Sequence, residues 1–420
     1  MTRPRAAIVV TGSELVRGER TDLNGPFYAR EALLLGLQPT RIAIVGDDPS
    51  DLEAALRTGL EADVCLISGG LGPTHDDRTI ELVARVAGRA LVLDAALEAE
   101  IGGISRAFAD RMRRPYADFE LGVRKQATLP EAATSLGIAG TAPGVVLDTG
   151  TCVVVVLPGP PNELQRLWPR AVASTEFQQV LARTVVPTRR VVRLYGASES
   201  AVAKALSDAG GDGGGIEVTI CAREFEIHVD LLIEPGAEAR ADALAAAFLE
   251  PLAAYIFGRD ERTIQERVVD LCREHGLTLG TAESCTGGLV AGRLTAVPGA
   301  SDVFHGGVVA YDNAVKRDLL GVSEAMLEAH GAVSAEVGAE MARAARTRLG
   351  VEVGVSVTGI AGPGGGSDAK PVGLVYLHVA GPSGELAQEF QLPGDREWIR
   401  ARTAVAALHL VRRLLESPRA

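Results

Sequence analysis

Short aliphatic segments that end next to a glycine alternate with helical segments through the first part of the chain. Three of these segments are predicted to be buried strands: residues 6–10, 41–45 and 64–67. Between them, residues 23–37 and 50–62 have the apolar spacing of helices. Repeated strand–helix–strand units predict a right-handed, parallel α/β sheet, which binds ligands at the carboxyl ends of its strands.

A glycine-rich turn follows the third predicted strand. It contains the candidate ligand-binding residues Gly69, Gly70, Gly72 and Thr74. Asp76 and Asp77 come directly after it, and the predicted fold places Glu14 and Asp22 at the same edge of the sheet. Main-chain amides in such a turn can hold a phosphate, and carboxylates can hold a hard divalent ion, so these four acidic residues are candidate metal ligands. The alternative is that Asp76 and Asp77 form a solvated turn or a helix cap.

A hydroxyl and a thiol lie at a second turn, within residues 281–288 (Thr-Ala-Glu-Ser-Cys-Thr-Gly-Gly). Residues 276–280 before it are predicted to be a short strand, and a helical pattern begins at Leu289. Free main-chain N–H groups and the positive end of the helix dipole meet at such a turn, which therefore favours an anion. For a phosphate or a developing oxyanion, the candidate donors are the main-chain N–H groups of Thr286, Gly287 and Gly288.

Lys316 is the candidate base for a serine nucleophile at this turn. A serine hydroxyl reacts poorly until a neighbour takes its proton, and a desolvated lysine can do that. Tyr311 precedes it in the same segment and is expected to orient either Lys316 or the substrate amide. The alternatives are an exposed helix lysine and a core aromatic residue.

Ser284 and Cys285 compete for the role of nucleophile. Because side-chain directions alternate along an extended chain, the two residues should not both face one pocket. Cysteine is the stronger intrinsic nucleophile, and a hydroxyl before Gly-Gly could also be a simple helix cap. The residues alone leave these alternatives open.

A second glycine-rich loop, at residues 359–367, directly follows a predicted buried strand. Its glycines permit close approach of a ligand, and Arg396 further on offers a planar donor for phosphate or ribose. The candidate substrate-binding residues here are Thr358, Gly359, Gly362, Gly364 and Arg396. A plain surface loop and an exposed arginine in a first helical turn are the alternatives.

The charge of the chain argues against general binding of nucleic acid. Its 54 acidic and 42 basic residues give a net charge of −12, whereas nucleic acid requires a basic surface. Five scattered cysteines without a Cys-x-x-Cys pair favour a reducing, cytoplasmic location over a disulfide framework or a zinc site. No apolar run reaches the roughly 20 residues of a membrane-spanning helix.

A length of 420 residues predicts two or three domains. The predicted domains are residues 1–173, 174–257 and 258–420. The middle part is predicted to be a small α+β module, with strands at 191–195 and 224–233 and helices at 200–209 and 238–252. Its loop at residues 208–215 is rich in glycine and carries no basic residue, which favours a spacer or dimerisation role over RNA binding.

Motifs in both halves resemble those of one protein family. Residues 281–288, 311–316, 331–334 and 358–363 together resemble the nicotinamide mononucleotide deamidase domain. Residues 68–79 resemble the molybdopterin-cofactor-binding-like domain, and the two in this order resemble the CinA (competence/damage-inducible protein A) family over nearly the whole chain. One departure is Ile138-Ala139, where the family usually has Asn-Pro, which argues against ligand contacts from that loop.

The resemblance implies an α/β protein in three parts: an N-terminal three-layer parallel-sheet domain, a small α+β KH-like middle domain and a C-terminal α/β deamidase domain. It implies hydrolysis of the carboxamide of nicotinamide mononucleotide by Ser284 and Lys316, without a cofactor, in pyridine nucleotide recycling. This pairing favours Ser284 over Cys285.

For the N-terminal domain, the resemblance implies ADP-ribose pyrophosphatase activity with a divalent metal ion, alone or together with K⁺. We therefore expect small-molecule nucleotides as ligands and a homodimer, with neither a membrane nor a nucleic acid as partner. The alternative is a molybdopterin-type nucleotide-binding protein without hydrolase activity.

Overall fold

The computed structural model of the chain describes residues 3–140 and 142–417. Thr141, in the loop that departs from the family pattern, lies outside the described residues. The chain divides into two compact units, residues 1–188 and 189–420. None of the helices within the described ranges is both long enough and apolar enough to cross a membrane.

A six-stranded sheet lies at the centre of the first unit, with the strand order 2-1-3-8-7-6. Its strands are β1 (Arg5–Thr11), β2 (Gln38–Val45), β3 (Val64–Ser68), β6 (Thr134–Ile138), β7 (Pro143–Asp148) and β8 (Val153–Leu157). A separate antiparallel pair consists of β4 (Leu91–Leu93) and β5 (Thr128–Pro130). The helices are α1 (Ser13–Val16), α2 (Asn24–Leu34), α3 (Pro49–Gly59), α4 (Thr79–Val86), α5 (Ala95–Met112), α6 (Ala117–Gln126), α7 (Pro161–Val172) and α8 (Thr175–Leu181).

The predicted parallel sheet is confirmed: the three predicted strands correspond to β1, β2 and β3, and β8 joins them in parallel. β2, β1, β3 and β8 run parallel, whereas β7 and β6 are antiparallel additions that the sequence analysis did not identify. The links around β7 are short loops, and short loops join only antiparallel neighbours. Alternate residues of β1 enter two separate cores, with Ile8 and Val10 on one face and Val9 on the other, so the three-layer prediction is confirmed.

The second unit begins with a small α+β module. Its sheet has the order 10-11-9-12 and consists of β9 (Thr188–Leu194), β10 (Ile216–Arg223), β11 (Glu226–Ile233) and β12 (Ile256–Gly258). Two helices cover it, α9 (Glu199–Asp208) and α10 (Glu238–Leu249). The α+β character is confirmed. The hairpin of β10 and β11 was only half predicted, because residues 216–223 were not identified as a strand.

The rest of the second unit is a five-stranded sheet with the order 14-13-15-16-17. Its strands are β13 (Leu279–Glu283), β14 (Phe304–Val309), β15 (Val353–Gly359), β16 (Leu374–Gly381) and β17 (Gly384–Gln391). The helices are α11 (Ile264–His275), α12 (Leu289–Thr295), α13 (Asn313–Val315), α14 (Glu324–His330), α15 (Ala335–Leu349) and α16 (Arg396–Glu416). The strands β13, β14 and β15 are parallel, and β16 and β17 are antiparallel, so this part is α/β as predicted.

One predicted strand lies at the wrong place. Residues 276–280 were predicted as a strand, but the strand is β13, three residues further on. The reason is Gly276, which ends α11 in the left-handed conformation (φ 62°) that glycine adopts without steric cost. The shift places Glu283 at the end of the strand and Ser284 directly after it.

The domain boundaries stay predictions. In the first unit, Phe177 and Val180 of α8 pack in the core beneath the sheet, so chain beyond residue 173 still contributes to that core. In the second unit, the small module and helix α16 share a buried contact between Glu226 and His409. The Nε2 atom of His409 lies 2.9 Å from the Glu226 carboxylate, and its ring stacks on Tyr195 at 3.7 Å.

Burial sets the protonation state of this pair. Desolvation lowers the pKa of His409 to about 4, so the ring is neutral at pH 7 and donates its N–H to Glu226. Burial alone would raise the pKa of Glu226, but hydrogen bonds from His228 and His409 outweigh it and lower that pKa. The pair is therefore a carboxylate that accepts from a neutral imidazole.

We expect the free energy of unfolding to fall as the pH is lowered from about 6.5 towards 4, because the unfolded chain then binds a proton that buried His409 does not. Between pH 7 and pH 5 His409 should account for about 2 kcal/mol. Urea unfolding at the two pH values measures this loss. His409→Gln keeps an N–H donor for Glu226 but cannot take up the proton, so its loss should be smaller by that amount.

The exposed His330 provides the matched control, and His330→Gln should show the same pH dependence as the wild type. Identical pH dependence in the wild type and in His409→Gln would contradict the assignment.

Candidate active site

Ser284 is held in a tight turn at the end of β13. Its main-chain N–H donates to the carbonyl of Val357 in β15 at 2.8 Å, and its own carbonyl accepts from the N–H of Gly287 at 3.0 Å. Gly287 and Gly288 have φ of 62° and 95°, in the region that favours glycine, and let the chain turn into α12. The Ser284 side chain is buried at the base of this turn.

The carboxylate of Glu283 occupies the start of α12. It accepts hydrogen bonds from the main-chain N–H groups of Gly288 (3.0 Å), Val290 (3.1 Å) and Ala291 (2.8 Å). The sequence predicted an external anion at this turn, with Gly288 among its donors, but the N–H of Gly288 donates to the chain's own side chain. Sequence reasoning missed Glu283, because this residue lies before the turn and not at the N-cap position of α12, which Gly288 occupies.

The structure brings Lys316 next to Ser284. The Lys316 amine donates to Ser284 Oγ at 3.3 Å and to the carbonyl of Ala310 at 2.8 Å. Lys316 is only 1% exposed, and it opens a wide helical turn, Lys316–Leu320, that follows α13. Desolvation lowers its pKa, and the negative charge of Asp312 partly offsets this effect. A buried amine with a lowered pKa can hold a free lone pair next to the hydroxyl.

Cys285 does not share this environment. Its side chain is buried in the hydrophobic core of the C-terminal sheet, and burial raises the pKa of its thiol to about 12. The thiolate is the reactive form of cysteine, so this thiol is inert at neutral pH. Arg400 of α16 fixes the turn from outside, because its guanidinium donates to the carbonyls of Cys285 (3.1 Å) and Thr286 (2.8 Å).

The predicted oxyanion donors are only partly free. The N–H of Gly287 donates to Ser284 and the N–H of Gly288 donates to Glu283, so both amides already have acceptors. The Thr286 side chain is fully buried, and its hydroxyl has no hydrogen-bond partner among the described residues. Of the three predicted donors, the main-chain N–H of Thr286 has no oxygen acceptor among the described residues and faces the sulfur of Cys285, which is a weak acceptor.

Tyr311 does not bind Lys316. Its ring is 58% exposed, and its hydroxyl accepts from Arg396, which also donates to the carbonyl of Gly362 at 2.8 Å. The prediction that Tyr311 orients Lys316 is therefore wrong, because the amine is held by Ala310 and Ser284 instead. Its other predicted role, orienting the substrate amide, stays a prediction. Arg396 joins the Tyr311 segment to the glycine-rich loop.

The glycine-rich loop is shaped by packing within the chain. A side chain at Gly359 would approach the Leu374 carbonyl at 2.8 Å, and one at Gly362 would approach Val372 at 2.7 Å. Only Gly364 among the three predicted glycines faces open space. The hydroxyl of Thr358 is fully buried and donates to the carbonyl of Ala332 at 2.7 Å, so it joins two of the sequence motifs.

In the first unit, the predicted turn borders a cavity of about 260 Å³, whose lining includes Gly70, Gly72, Asp77, Glu81, Lys125 and Gln126. The hydroxyl of Thr74 bonds to the carboxylates of both Asp76 and Asp77. Lys125 of α6 donates to the carbonyl of Thr74. Gly69 and Gly70 have φ of 103° and 65°, and a side chain on either would collide with neighbouring segments.

The four predicted metal ligands do not form one set. Asp22 accepts from the N–H groups of Asn24 (2.8 Å) and Gly25 (3.1 Å) at the start of α2, so it serves as a local cap. Across the described ranges, no three His, Cys, Asp or Glu side chains converge as metal ligands. Asp76 and Asp77 remain as a pair, without Glu14 and Asp22. Such a pair still suits Mg²⁺, which binds through one or two carboxylates when substrate phosphates supply further oxygens.

Comparison with known proteins matches both halves of the chain. Residues 261–415 match the family described as CinA C-terminal domain, and residues 7–176 match the probable molybdopterin binding domain. A CinA-like protein of Mycolicibacterium vanbaalenii is 44% identical over 418 residues, which cover 98% of each chain. A CinA-like protein of Mycobacterium tuberculosis is 41% identical over 421 residues, which cover 98% of this chain and 97% of that protein.

Among solved structures, the competence/damage inducible protein CihA from Agrobacterium tumefaciens is 44% identical to the matched part. The match covers 36% of this chain and 93% of that one, with a TM-score of 0.35.

We expect Glu283→Ala to lower the free energy of unfolding by about 3 kcal/mol, because one buried and two partly buried N–H groups lose a charged acceptor. Glu283→Gln retains one acceptor oxygen and should lose less. Urea unfolding at pH 7 measures both, with the exposed Glu274→Ala on α11 as the matched control. Wild-type stability in Glu283→Ala would contradict the role of this carboxylate.

Proposed function

Since the chain belongs to the CinA family and contains a molybdopterin-binding-like domain, we propose that its C-terminal part hydrolyses the carboxamide of nicotinamide mononucleotide to nicotinate mononucleotide and ammonia. The observation that carries this proposal is the buried amine of Lys316, 3.3 Å from Ser284 Oγ. A hydroxyl beside a desolvated amine is the arrangement of a serine–lysine amidohydrolase.

In the first half of the proposed reaction, neutral Lys316 takes the proton of the Ser284 hydroxyl as Oγ bonds to the carboxamide carbon. The resulting ammonium then gives its proton to the amide nitrogen, and the carbon–nitrogen bond breaks to release ammonia. In the second half, Lys316 takes a proton from water as the water attacks the acyl-serine ester. Return of this proton to Ser284 Oγ releases nicotinate mononucleotide, so the amine is neutral again after each turnover.

Three features support this use of the turn. Glu283 and Arg400 fix the main chain around Ser284, so the hydroxyl is positioned before substrate binds. The N–H of Thr286 is the remaining oxyanion donor of the predicted three, and such a donor is worth about 3 kcal/mol. The loop side of the site, with Arg396 and Gly364, is the proposed place for the nucleotide phosphate. The reaction as written needs no cofactor, because the amine activates the hydroxyl.

A second activity is proposed for the first unit, namely hydrolysis of ADP-ribose. The observation in its favour is the cavity that Asp77 and Lys125 share, where a carboxylate and an amine border a glycine-rich turn. A divalent ion would be held by Asp76 and Asp77, and when bound it would supply charge neutralisation for a diphosphate. The chain itself supplies main-chain amides and the Lys125 amine around the phosphates.

Pyridine nucleotide recycling, the homodimer and the cytoplasmic location stay predictions, as does the involvement of K⁺. A molybdopterin-type nucleotide-binding protein without hydrolase activity is the alternative to the whole proposal. Ammonia release from nicotinamide mononucleotide by the purified chain separates the two, because a binding protein would release none.

Ser284→Ala and Lys316→Ala should each remove nearly all ammonia release, because members of one catalytic unit do not contribute additively. Cys285→Ala is the matched control and should retain most of the turnover, since its buried thiol has a raised pKa. The turnover number of each variant is measured after circular dichroism confirms folding. An active Ser284→Ala together with an inactive Cys285→Ala would transfer the role to the thiol.

The wild-type rate should also fall as the pH decreases through the lowered pKa of Lys316, because only the neutral amine can take the proton. A rate that rises as Lys316 becomes protonated would contradict its role as a base.

Hydrolysis of ADP-ribose should require a divalent metal ion and should be abolished by Asp77→Ala, because one of two carboxylate ligands is lost. The exposed Asp118→Ala on α6 is the matched control and should leave the rate unchanged. Release of AMP from ADP-ribose, with and without chelator, is the measurement. Activity that persists in chelator or in Asp77→Ala would rule out this metal-binding role.

A further inference from the structure

The turn of the β10–β11 hairpin holds two bulky residues in an unfavourable backbone conformation. Arg223 pairs with Glu226, so the turn itself consists of Glu224 and Phe225 alone. Their φ angles are 50° and 68°, in the region where such two-residue turns normally contain Asn-Gly. Residues other than glycine stay in this backbone conformation only where surrounding contacts stabilise it. Such residues are frequent at functional sites.

Both side chains of this turn bind helices next to the catalytic serine. The Phe225 ring packs edge-on against Trp398 of α16, with ring centres 5.0 Å apart. The guanidinium of Arg402 lies over both rings, at 4.9 Å from Trp398 and 5.9 Å from Phe225. The Glu224 carboxylate forms an ion pair with Arg293 of α12 at 3.0 Å.

These two helices are the ones that fix the Ser284 turn. α12 begins directly after the turn and is tied to Glu283 by its first N–H groups. α16 carries Arg400, which binds the turn carbonyls, and Arg396, which binds the glycine-rich loop. Trp398 lies between these two arginines in the sequence. Phe225 therefore contacts the part of α16 from which both arginine side chains extend to the site.

The hairpin is also fixed to α16 by the residue directly after its turn. Glu226, the residue directly after the turn, is 4% exposed and lies 2.9 Å from His409, further along α16. Phe225 and Glu226 therefore bind the same helix at two points, at Trp398 and at His409. A tip fixed in this way restrains the first turns of α16 against displacement.

The geometry points to Phe225 and Glu224 as positioning residues for the catalytic serine: the hairpin tip presses on α16 and α12 and thereby holds the Ser284 turn in its reactive arrangement. This inference rests on the proposed amidohydrolase function. It gives the small α+β module a role in the same reaction, beyond that of a spacer. Neither residue needs to touch the substrate, because both act through Trp398 and Arg293.

The experiment compares the full-length wild type with Phe225→Ala, Phe225→Tyr and Cys221→Ala. Cys221→Ala is the matched control, because this exposed residue belongs to the same hairpin but lies away from its tip. Ammonia release from nicotinamide mononucleotide gives kcat and KM, and circular dichroism gives the melting temperature. Hydrogen exchange of the amides of residues 284–291 reports on the turn independently of any activity.

We expect Phe225→Ala to lower kcat by roughly tenfold in a folded chain, since a small misplacement of reacting groups has effects of this size or larger. The amides of residues 284–291 should exchange faster in this variant. Phe225→Tyr keeps the ring and should restore both values, and Cys221→Ala should match the wild type.

In an active wild type, an unchanged kcat in folded Phe225→Ala overturns the inference. A loss of kcat that merely follows the folded fraction overturns it as well. A wild type that releases no ammonia refutes the proposed function instead, and exchange at residues 284–291 then decides the positioning role alone. If Phe225→Ala does not fold, Glu224→Gln takes its place, and unchanged exchange at the start of α12 overturns the inference.

Discussion

The arrangement of the C-terminal site depends on one buried carboxylate. Glu283 ends β13 and accepts hydrogen bonds from N–H groups at the start of α12, so its side chain joins the strand to the helix across the five-residue turn 284–288. Because the free N–H groups are satisfied from within, the turn needs no bound anion to be stable. Ser284 is the first residue of this turn, and its position is fixed by main-chain hydrogen bonds on both sides. The proposed nucleophile is thus positioned by backbone geometry, which would cost no reorganisation during the proposed reaction.

Burial sets the protonation states of Lys316 and Cys285, which the geometry of the turn alone does not determine. Lys316 is almost completely buried, which disfavours its charged form, and among the described residues its amine bonds to Ser284 Oγ and the Ala310 carbonyl. Burial also favours the neutral form of Cys285, but for a thiol the neutral form is the unreactive one. Desolvation therefore favours the neutral amine of Lys316, which can accept a proton, and the neutral thiol of Cys285, which is unreactive. That difference between Lys316 and Cys285 supports the proposed serine–lysine reaction over a cysteine nucleophile.

Helix α16 connects the site to the rest of the second unit. Arg396 and Arg400 reach the glycine-rich loop and the serine turn, while Trp398 and His409 receive the hairpin of the small module. This helix of 21 residues thus contacts the site near its start and the small module at Trp398 and His409. In the first unit the corresponding ligand region is simpler. There the turn, the Asp76–Asp77 pair and a cavity lie together on the edge of the sheet, as expected for the carboxyl ends of parallel strands.

The sequence alone determined the classes of secondary structure, the two glycine-rich turns and the pairing of Ser284 with Lys316 as a hypothesis, because local spacing and motifs carry that information. It could not place β13 correctly, since only the tertiary structure shows that Gly276 ends the preceding helix. It assigned Glu14 and Asp22 to a metal, whereas the structure does not bring them into one ligand set with Asp76 and Asp77. The burial of Lys316 and the internal anion at the start of α12 were also decided by packing. Such properties depend on which distant segments surround a side chain, and no local pattern records those neighbours.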